Sequence, residues 1–290
     1  MVFEDILDRV ARDKSSGAAA TYDYVIACLL RGIENGPGPS SKDWSEFALS
    51  LFDLRPTMAP IFHLANGILM MTENDEPPNL ARFRTTLLEM QVKEKSATKK
   101  LADNAAGCLT GNSFLTISSS SSVLASLLEL SRRRSICVTV MESLPGGEGV
   151  EAARYLSQNG IDVSLVKDAM VFEAAFECDA GLCGADWIGP DGVVNKVGTY
   201  SMAMACREAS IGCHVLATWS KCMPFSTNER MYGERMEDGF RWREQIFEKV
   251  PMAKLDWCIN EEGLLPSSQL IDKIQAIRLA KAWKGTVSRP

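Results

Sequence analysis

The first hundred residues carry apolar side chains at helical spacing. Phe3, Ile6, Leu7 and Val10 follow the i, i+3, i+4, i+7 pattern of one helical face, and no strand-like alternation interrupts the runs that follow. Breaks fall at two segments that contain proline, residues 36–39 and 76–78. The pattern predicts a helical N-terminal domain over residues 1–106. Its last stretch, residues 88–106, is rich in Lys, Glu and Ala and is expected to form a long solvated helix.

From residue 113 onward, short apolar runs alternate with amphipathic stretches. The runs are residues 113–117, 136–141, 163–166, 181–184 and 214–218, and the stretches between them are residues 123–130, 150–158, 169–176 and 200–209. Regular alternation of strands and helices implies right-handed crossovers and a mostly parallel, doubly wound sheet. We therefore predict a Rossmann-like α/β domain over residues 107–290, with its ligand pocket beyond the carboxyl ends of the strands.

Composition narrows the classes of partner. The net charge of -6 gives no basic face for direct nucleic-acid binding. No stretch has the roughly 18 apolar residues of a membrane span and the N-terminus lacks a signal-peptide pattern, so we expect a cytoplasmic protein with no membrane partner. The nine cysteines form no Cys-x-x-Cys pair and the chain has two histidines, so neither a metal nor a cofactor is expected. Most of these cysteines lie in apolar runs, where a free thiol behaves as a small buried hydrophobe.

A run of five serines follows the first predicted strand and precedes a helix. The hydroxyls of Ser120, Ser121 and Ser122 and the free N–H groups of a helix N-terminus together suit a phosphate. A polyserine turn with a single N-cap is the alternative, and the sequence alone leaves both open.

Other polar groups follow the later strands. Asp186 comes directly after the run 181–184, where it is either a turn residue or a general acid or base. Lys196 lies in residues 193–199, which are expected to open a helix after a turn. Lys221 lies beyond the fifth predicted strand at the same edge, where a solvated lysine is the ordinary interpretation. Residues 142–149 contain three glycines and form a loop that can approach a ligand or a neighbouring chain closely. The convergence of these groups at one edge favours a binding site.

Five strings of this sequence resemble one known family. They are Arg55-Pro56-Thr57, the run from Glu142 to Gly149, Gly184-Ala185-Asp186, Val194-Asn195-Lys196-Val197-Gly198-Thr199, and Asp256-Trp257-Cys258-Ile259-Asn260-Glu261-Glu262-Gly263. They occur in the family's order and span nearly the whole chain. The chain resembles the alpha, beta and delta regulatory subunits of initiation factor 2B and the related methylthioribose-1-phosphate and ribose-1,5-bisphosphate isomerases. This resemblance implies a dimer through the α/β domains, or a larger homo-oligomer.

The isomerase branch of the resemblance implies a set of site residues. In those enzymes an aspartate protonates the ring oxygen of a sugar 1-phosphate while a base removes a proton from the second carbon, and that aspartate matches Asp186. The remaining matches contact the substrate: Asn195, Lys196 and Lys221 hold it, Arg55 matches a phosphate or sugar contact, and Ser120, Ser121 and Ser122 match the phosphate loop.

The family's catalytic cysteine is missing. Ser118 stands in its place, and Ile117 replaces the histidine before it. A serine hydroxyl titrates far above the thiol reference pKa of about 8.5 and needs an activating group, so Ser118 is expected to be inactive. Leu144 and Ser16 stand where the family has arginines. Without those bidentate clamps, a doubly phosphorylated substrate would be held poorly.

Three interpretations remain open. The sequence favours a regulatory or non-catalytic protein that binds a sugar phosphate or related phosphorylated metabolite and acts through assembly with itself or with a protein partner. The alternative is an aldose-ketose isomerase of a phosphorylated pentose, with Asp186 as acid and a base not yet identified. A domain whose pocket serves only packing is the third, since fold does not imply function. Trp187 and Met223 are candidate apolar surface residues for assembly.

Overall fold

The computed structural model describes residues 3–13, 18–34, 38–73, 79–226 and 232–283. The segment around Ser16 and the predicted breaks at residues 36–39 and 76–78 lie wholly or partly outside them. The chain forms two compact units, Met1–Ser96 with Ala276–Pro290, and Ala97–Gln275. The C-terminal segment thus groups with the helices rather than with the sheet, and the division falls inside a helix rather than at residue 106.

The first unit is helical. Its helices are α1 (Phe3–Arg12), α2 (Ala18–Glu34), α3 (Ser41–Leu54), α4 (Ala59–Thr72) and the first part of α5 (Leu80–Cys108). Asn66 in α4 holds the C-terminal segment: its Oδ1 accepts hydrogen bonds from the Ala280 N–H and the Trp283 Nε1–H, each at 2.9 Å, and its Nδ2 donates to the Arg278 carbonyl at 3.0 Å. Because Trp283 is almost fully buried, these bonds fix the segment to the helices.

The second unit contains all twelve strands that the described residues form. They are β1 (Ser113–Ile117), β2 (Cys137–Met141), β3 (Asp162–Val166), β4 (Ala180–Cys183), β5 (Trp187–Gly189), β6 (Gly192–Lys196), β7 (Gly212–Leu216), β8 (Tyr232–Glu237), β9 (Phe240–Gln245), β10 (Phe247–Val250), β11 (Trp257–Asn260) and β12 (Gly263–Pro266). Its other helices are α6 (Ser121–Arg133), α7 (Glu148–Gln158), α8 (Val171–Phe176), α9 (Thr199–Glu208) and α10 (Ser267–Gln275).

Seven of these strands form the main sheet, in the order β12-β11-β7-β4-β1-β2-β3. All neighbours pair in parallel except β11 and β12. The five predicted strands are all present, with ends shifted by two residues at most, so the predicted Rossmann-like fold with a helical N-terminal part is confirmed. The strand order reverses between β1 and β4, which is the switch point where such sheets bind ligands.

The smaller antiparallel pieces were not predicted. β6 pairs with both β5 and β10, and β8 with β9 forms a separate hairpin. Residues 193–199 were expected to open a helix, yet they contain most of β6 and a loop before α9. Every residue of β6 is buried, so the strand shows none of the alternation that reveals a half-exposed strand.

The prediction of a solvated helix over residues 88–106 is wrong for its second half. Leu101 and Ala105 of α5 are fully buried and belong to the core of the sheet unit, in contact with the cluster that includes Phe114, Leu127 and Val138. The reason is a narrow stripe, Ala97, Leu101 and Ala105, that recurs every four residues between lysines and other polar residues.

Burial also corrects the candidate surface residues. Trp187 and Met223 lie in the core, so neither can serve as an exposed assembly contact. The expectation of buried thiols is confirmed for six of the nine cysteines: Cys178, Cys183, Cys206, Cys213, Cys222 and Cys258. Across the described segments, no helix combines the length and apolarity that a bilayer span requires.

The start of α7 depends on a glycine. A Cβ atom added to Gly149 would lie 1.8 Å from the carbonyl oxygen of Met141, a backbone atom that cannot turn aside. We predict that Gly149→Ala lowers the free energy of unfolding by at least about 2 kcal/mol, measured from urea denaturation curves. Gly107→Ala is the matched control, because its Cβ meets nothing within 4 Å and alanine favours the α5 helix. Equal stability of the two variants would contradict this account.

Candidate functional site

The loop after β1 turns sharply into α6. Ser118 has a left-handed backbone with φ 66°, and its N–H donates to the buried Ser143 hydroxyl at 2.8 Å. Non-glycine residues adopt this conformation rarely, so the bond to Ser143 supports a strained turn at the end of the strand. The hydroxyl of Ser143 in turn donates to the Met141 carbonyl at 2.9 Å. The ends of β1 and β2 are therefore joined through one serine.

The N-terminus of α6 has free donors. Ser120 is the N-cap residue, with extended backbone and no hydrogen bond from its side chain to the helix. Within the described residues, no acceptor bonds to the backbone N–H groups of Ser121, Ser122 or Val123. These donors and the positive end of the helix dipole point beyond the sheet edge, which is an arrangement that accepts an anion.

The loop after β4 approaches the serines closely. A Cβ atom on Gly184 would lie 2.3 Å from Ser120 Oγ and 3.9 Å from Asn195 Oδ1. Only glycine permits this approach, so Gly184 brings Ser120 and Asn195 to the same space. Asn195 is buried, and its Nδ2 donates to Thr199 Oγ1 at 2.9 Å. Its Oδ1 accepts no hydrogen bond from any described residue and is available to a ligand.

Lys196 is a buried cation with a partner that the sequence did not reveal. Its side chain is 3% exposed, and Nζ lies 2.9 Å from Oε2 of Glu148, the first residue of α7. Nζ also donates to the Pro145 carbonyl in the glycine-rich loop. Burying a charge without a partner is costly, so Glu148 stabilises Lys196 in place. A Cβ on Gly146 would lie 2.6 Å from Glu148 Oε1, so that glycine makes room for the carboxylate.

Asp186 follows β4 and is fixed through its backbone, since its N–H donates to the Val194 carbonyl at 2.9 Å. Its carboxyl group is mostly buried. Burial raises the pKa of Asp186, and the positive charge of Lys221 opposes that shift without cancelling it. Lys221 ends a short 3-10 helix, Trp219–Lys221, after β7. The raised pKa favours the protonated acid, which can donate a proton or a hydrogen bond.

The structure therefore brings most of the predicted site residues to one edge of the sheet. Ser118, Ser120, Ser121, Ser122, Asp186, Asn195, Lys196 and Lys221 all belong to the sheet unit and lie at or near its strand ends. Arg55 belongs to the helical unit, where its guanidinium donates to the backbone carbonyls of Val10, Asp13 and Leu54. These bonds give Arg55 a structural role within that unit.

Sequence reasoning missed the carboxylates that support the loops. Glu148 pairs with Lys196, Glu248 accepts from the Gly198 and Tyr200 N–H groups at 2.8 Å each, and Asp168 accepts from the Ser143 and Leu144 N–H groups at 2.7 Å each. Glu248 in β10 caps α9 from a strand far away in sequence. Only the position of Glu148 in the first turn of α7 offered a signal, because acidic residues favour that place.

These features define an α/β protein with a cluster of polar groups at the switch point of a parallel sheet. Residues 45–267 match the model of the initiation factor 2 subunit family, and the chain belongs to that family. It is 32% identical over 226 residues to a Pyrococcus abyssi protein described as translation initiation factor eIF-2B subunit 2-like, covering 76% of this chain and 80% of the relative. It is 24% identical over 289 residues to the ribose 1,5-bisphosphate isomerase of Archaeoglobus fulgidus, covering 91% and 90%.

Solved structures show the same fold. The translation initiation factor eIF-2B of Pyrococcus horikoshii OT3 superposes with a TM-score of 0.78 at 26% identity, covering 93% of this chain and 98% of that one. The 5-methylthioribose 1-phosphate isomerase of the same organism gives 0.71 at 18% identity, covering 94% and 87%. The family therefore includes relatives named as translation factors and relatives named as isomerases, which agrees with the resemblance seen in the sequence.

The raised pKa of Asp186 predicts a pH-dependent stability. As the pH rises, the unfolded chain ionises first, near the reference value of 3.8, so the free energy of unfolding falls between pH 3.8 and the raised folded pKa and stays lower above it. We predict that Asp186→Asn is more stable than the wild type at pH 7, and that the difference closes as the pH falls toward 3.8. Thermal unfolding between pH 4 and 7 measures it.

Asp179→Asn is the control with the opposite sign. Hydrogen bonds from the Ser113 and Asn112 N–H groups and the Ser113 hydroxyl lower the pKa of Asp179, so its carboxylate stabilises the fold at neutral pH. That substitution should destabilise the protein at pH 7, with a loss that shrinks as the pH falls through the lowered pKa. An Asp186→Asn variant that is less stable than the wild type at every pH would refute the burial argument.

Proposed function

We propose that this chain binds a sugar phosphate or related phosphorylated metabolite at the switch point between β1 and β4, and that it is regulatory rather than catalytic. The observation that carries the proposal is the free first turn of α6, where the N–H groups of Ser121, Ser122 and Val123 lie beside Ser120 and Asn195. A phosphoryl group accepts hydrogen bonds from such donors, while Asn195 Oδ1 and Asp186 suit the hydroxyls of an attached sugar.

The absence of an evident base supports a non-catalytic role. Ser118 stands where the isomerases have their cysteine, and the only group among the described residues that bonds to its backbone N–H is the hydroxyl of Ser143. No described side chain hydrogen-bonds to the Ser118 hydroxyl, and a hydroxyl without an activating base cannot take a proton at neutral pH. Acid catalysis by Asp186 alone would leave the proton on the second carbon of the sugar in place.

A sugar-phosphate isomerase is the second candidate. The raised pKa of Asp186 favours it, because burial lets the carboxyl group keep its proton to higher pH, and a protonated carboxyl group can protonate a ring oxygen. The relatives named as ribose 1,5-bisphosphate isomerases show that chains similar to this one are associated with such chemistry. A base from a residue outside the family's cysteine position would have to complete the reaction.

Ligand binding can be tested by thermal unfolding of the purified protein with ribose 5-phosphate, ribose 1,5-bisphosphate, methylthioribose 1-phosphate and AMP. A ligand at about 100 times its dissociation constant should stabilise the protein by about 2.7 kcal/mol. We predict such a shift with at least one compound and no ketose formation. Turnover that disappears in Asp186→Asn would replace the regulatory proposal by the isomerase, and no shift with any compound would contradict a phosphate site.

The variant Ser121→Asp tests whether the phosphoryl group of the ligand binds at the first turn of α6. A carboxylate in the first turn of α6 favours the helix, so the variant should fold, but it repels a phosphoryl group at the free N–H groups. We predict that the ligand-induced shift disappears. Ser268→Asp is the matched control, because it places the same charge in the first turn of α10, at the β11–β12 side of the sheet. An unchanged shift in Ser121→Asp would place the phosphate elsewhere.

We also propose that the chain forms a homodimer or larger homo-oligomer in the cytoplasm. One solved relative is the tetrameric eIF2B-beta2-delta2 complex of Chaetomium thermophilum, with a TM-score of 0.75 and 14% identity. Support within this chain comes from the outer strand β3 and from α8, where Leu165, Phe172 and Phe176 are exposed although large and apolar. An open strand edge beside such side chains is a typical assembly surface.

Light scattering coupled to size exclusion measures the assembly. We predict a mass at least twice that of the single chain, and a single-chain mass for the double variant Phe172→Glu and Phe176→Glu, because charged side chains resist burial in an interface. Val92→Glu is the control, because Val92 is also an exposed apolar residue but belongs to α5 and not to β3 or α8. A wild type that elutes as one chain at micromolar concentration would contradict the proposal.

A further inference from the structure

Glu148 decides how many anionic groups the pocket can take. Four helices begin beyond the carboxyl ends of strands, namely α6, α7, α8 and α9. At α8, which continues a 3-10 helix, the Val171 N–H donates to the Asp168 carbonyl. At α9, the carboxylate of Glu248 already accepts from the Gly198 and Tyr200 N–H groups. At α7, the N–H groups of Gly149 and Val150 donate to the carbonyls of Glu142 and Gly147. Of these four helices, α6 is the one whose first three N–H groups, those of Ser121, Ser122 and Val123, bond to no acceptor among the described residues.

The cation nearest to these loops is also engaged. Lys196 is the buried lysine of the pocket, and Glu148 holds it at 2.9 Å while the Pro145 carbonyl accepts a further hydrogen bond from it. A second phosphoryl group on Lys196 would have to displace Glu148 or lie beside its negative charge. Either arrangement is unfavourable, because like charges repel strongly where solvent is partly excluded.

Glu148 has acceptor capacity left for a different chemical group. Its side chain is 38% exposed, Oε1 accepts from Lys196 Nζ at 3.1 Å, and Oε2 accepts no hydrogen bond from any described residue. An ionised carboxylate accepts hydrogen bonds and donates none, so hydroxyl groups are its natural partners. Asn195 Oδ1 offers a second acceptor in the same pocket, beside Ser120.

We propose that Glu148 is a specificity-determining residue that restricts the ligand to one phosphoryl group, bound at the start of α6, with a neutral polyhydroxyl portion toward Glu148. This inference rests on the proposed function and deepens it by naming the ligand class. The restriction comes from the Glu148 carboxylate and does not depend on the absence of arginine at Ser16 and Leu144.

Titration calorimetry with ribose 5-phosphate and ribose 1,5-bisphosphate tests the inference. The wild type should bind the monophosphate at least about tenfold more tightly. In Glu148→Gln, which keeps an oxygen that can accept from Lys196 but removes the charge, that preference should fall by about tenfold or more. Glu151→Gln is the control, because it removes the same charge from the first turn of α7 at an exposed position, and its preference should match the wild type.

A second variant keeps the inference testable if Glu148→Gln does not fold. Glu148→Gln with Lys196→Met replaces the buried pair by neutral groups of similar size, which proteins often tolerate. Because the phosphoryl group is placed at α6 and not on Lys196, this variant should still bind ribose 5-phosphate, with a loss of affinity below about tenfold from the contacts to the sugar hydroxyls. A loss of tenfold or more would overturn the inference, since it would place the phosphate on Lys196.

The remaining outcomes separate the two proposals. Equal affinity of the wild type for both compounds, or a preference that Glu148→Gln leaves unchanged, overturns the role of Glu148 while the proposed phosphate site stands. Binding of neither compound by the wild type, with no stabilisation by the wider panel, overturns the proposed function and this inference together.

Discussion

The reversal of strand order between β1 and β4 is the constraint on which the site depends. Neighbouring parallel strands whose connections leave in opposite directions open a crevice beyond their carboxyl ends. Here Gly184 after β4 allows Ser120 after β1 to approach to a distance that any side chain would block. The same approach brings Asn195 beside Ser120. The grouping of these polar side chains is thus a consequence of the sheet's topology, and it requires glycine at position 184.

The charges around this crevice largely cancel. Lys196 is held by Glu148, and Lys221 lies close enough to Asp186 to oppose the rise in its pKa. Glu248 occupies the start of α9. A ligand therefore meets few unpaired positive charges, and an anion must rely on the N–H groups of α6. Such donors are directional and fixed by the helix, so they select geometry as well as charge.

The sequence was sufficient for most of the sheet but not for its loops. Apolar runs separated by amphipathic stretches predicted five of the seven main-sheet strands, β1 to β4 and β7, and the strand-end rule placed Ser120 and Asp186 at one edge. β6 was not predicted because both of its faces are buried, so its apolar and polar residues do not alternate. The roles of Glu148 and Glu248 were not predicted because the partner of a carboxylate depends on how distant loops fold. Trp187 could not be told from a surface aromatic until β5 and its contact with Phe225 were known.

The retained aspartate does not by itself argue for catalysis. An aldose-ketose isomerisation moves a proton from carbon, and an acid without a base cannot remove it. Yet burial favours the protonated form of the Asp186 carboxyl group, and in that form it is a hydrogen-bond donor that recognises a ring or hydroxyl oxygen equally well. Under the proposed function, the group that would supply the acid in an isomerase instead contributes to ligand recognition. An aspartate at this position is therefore compatible with a binding role as well as with catalysis.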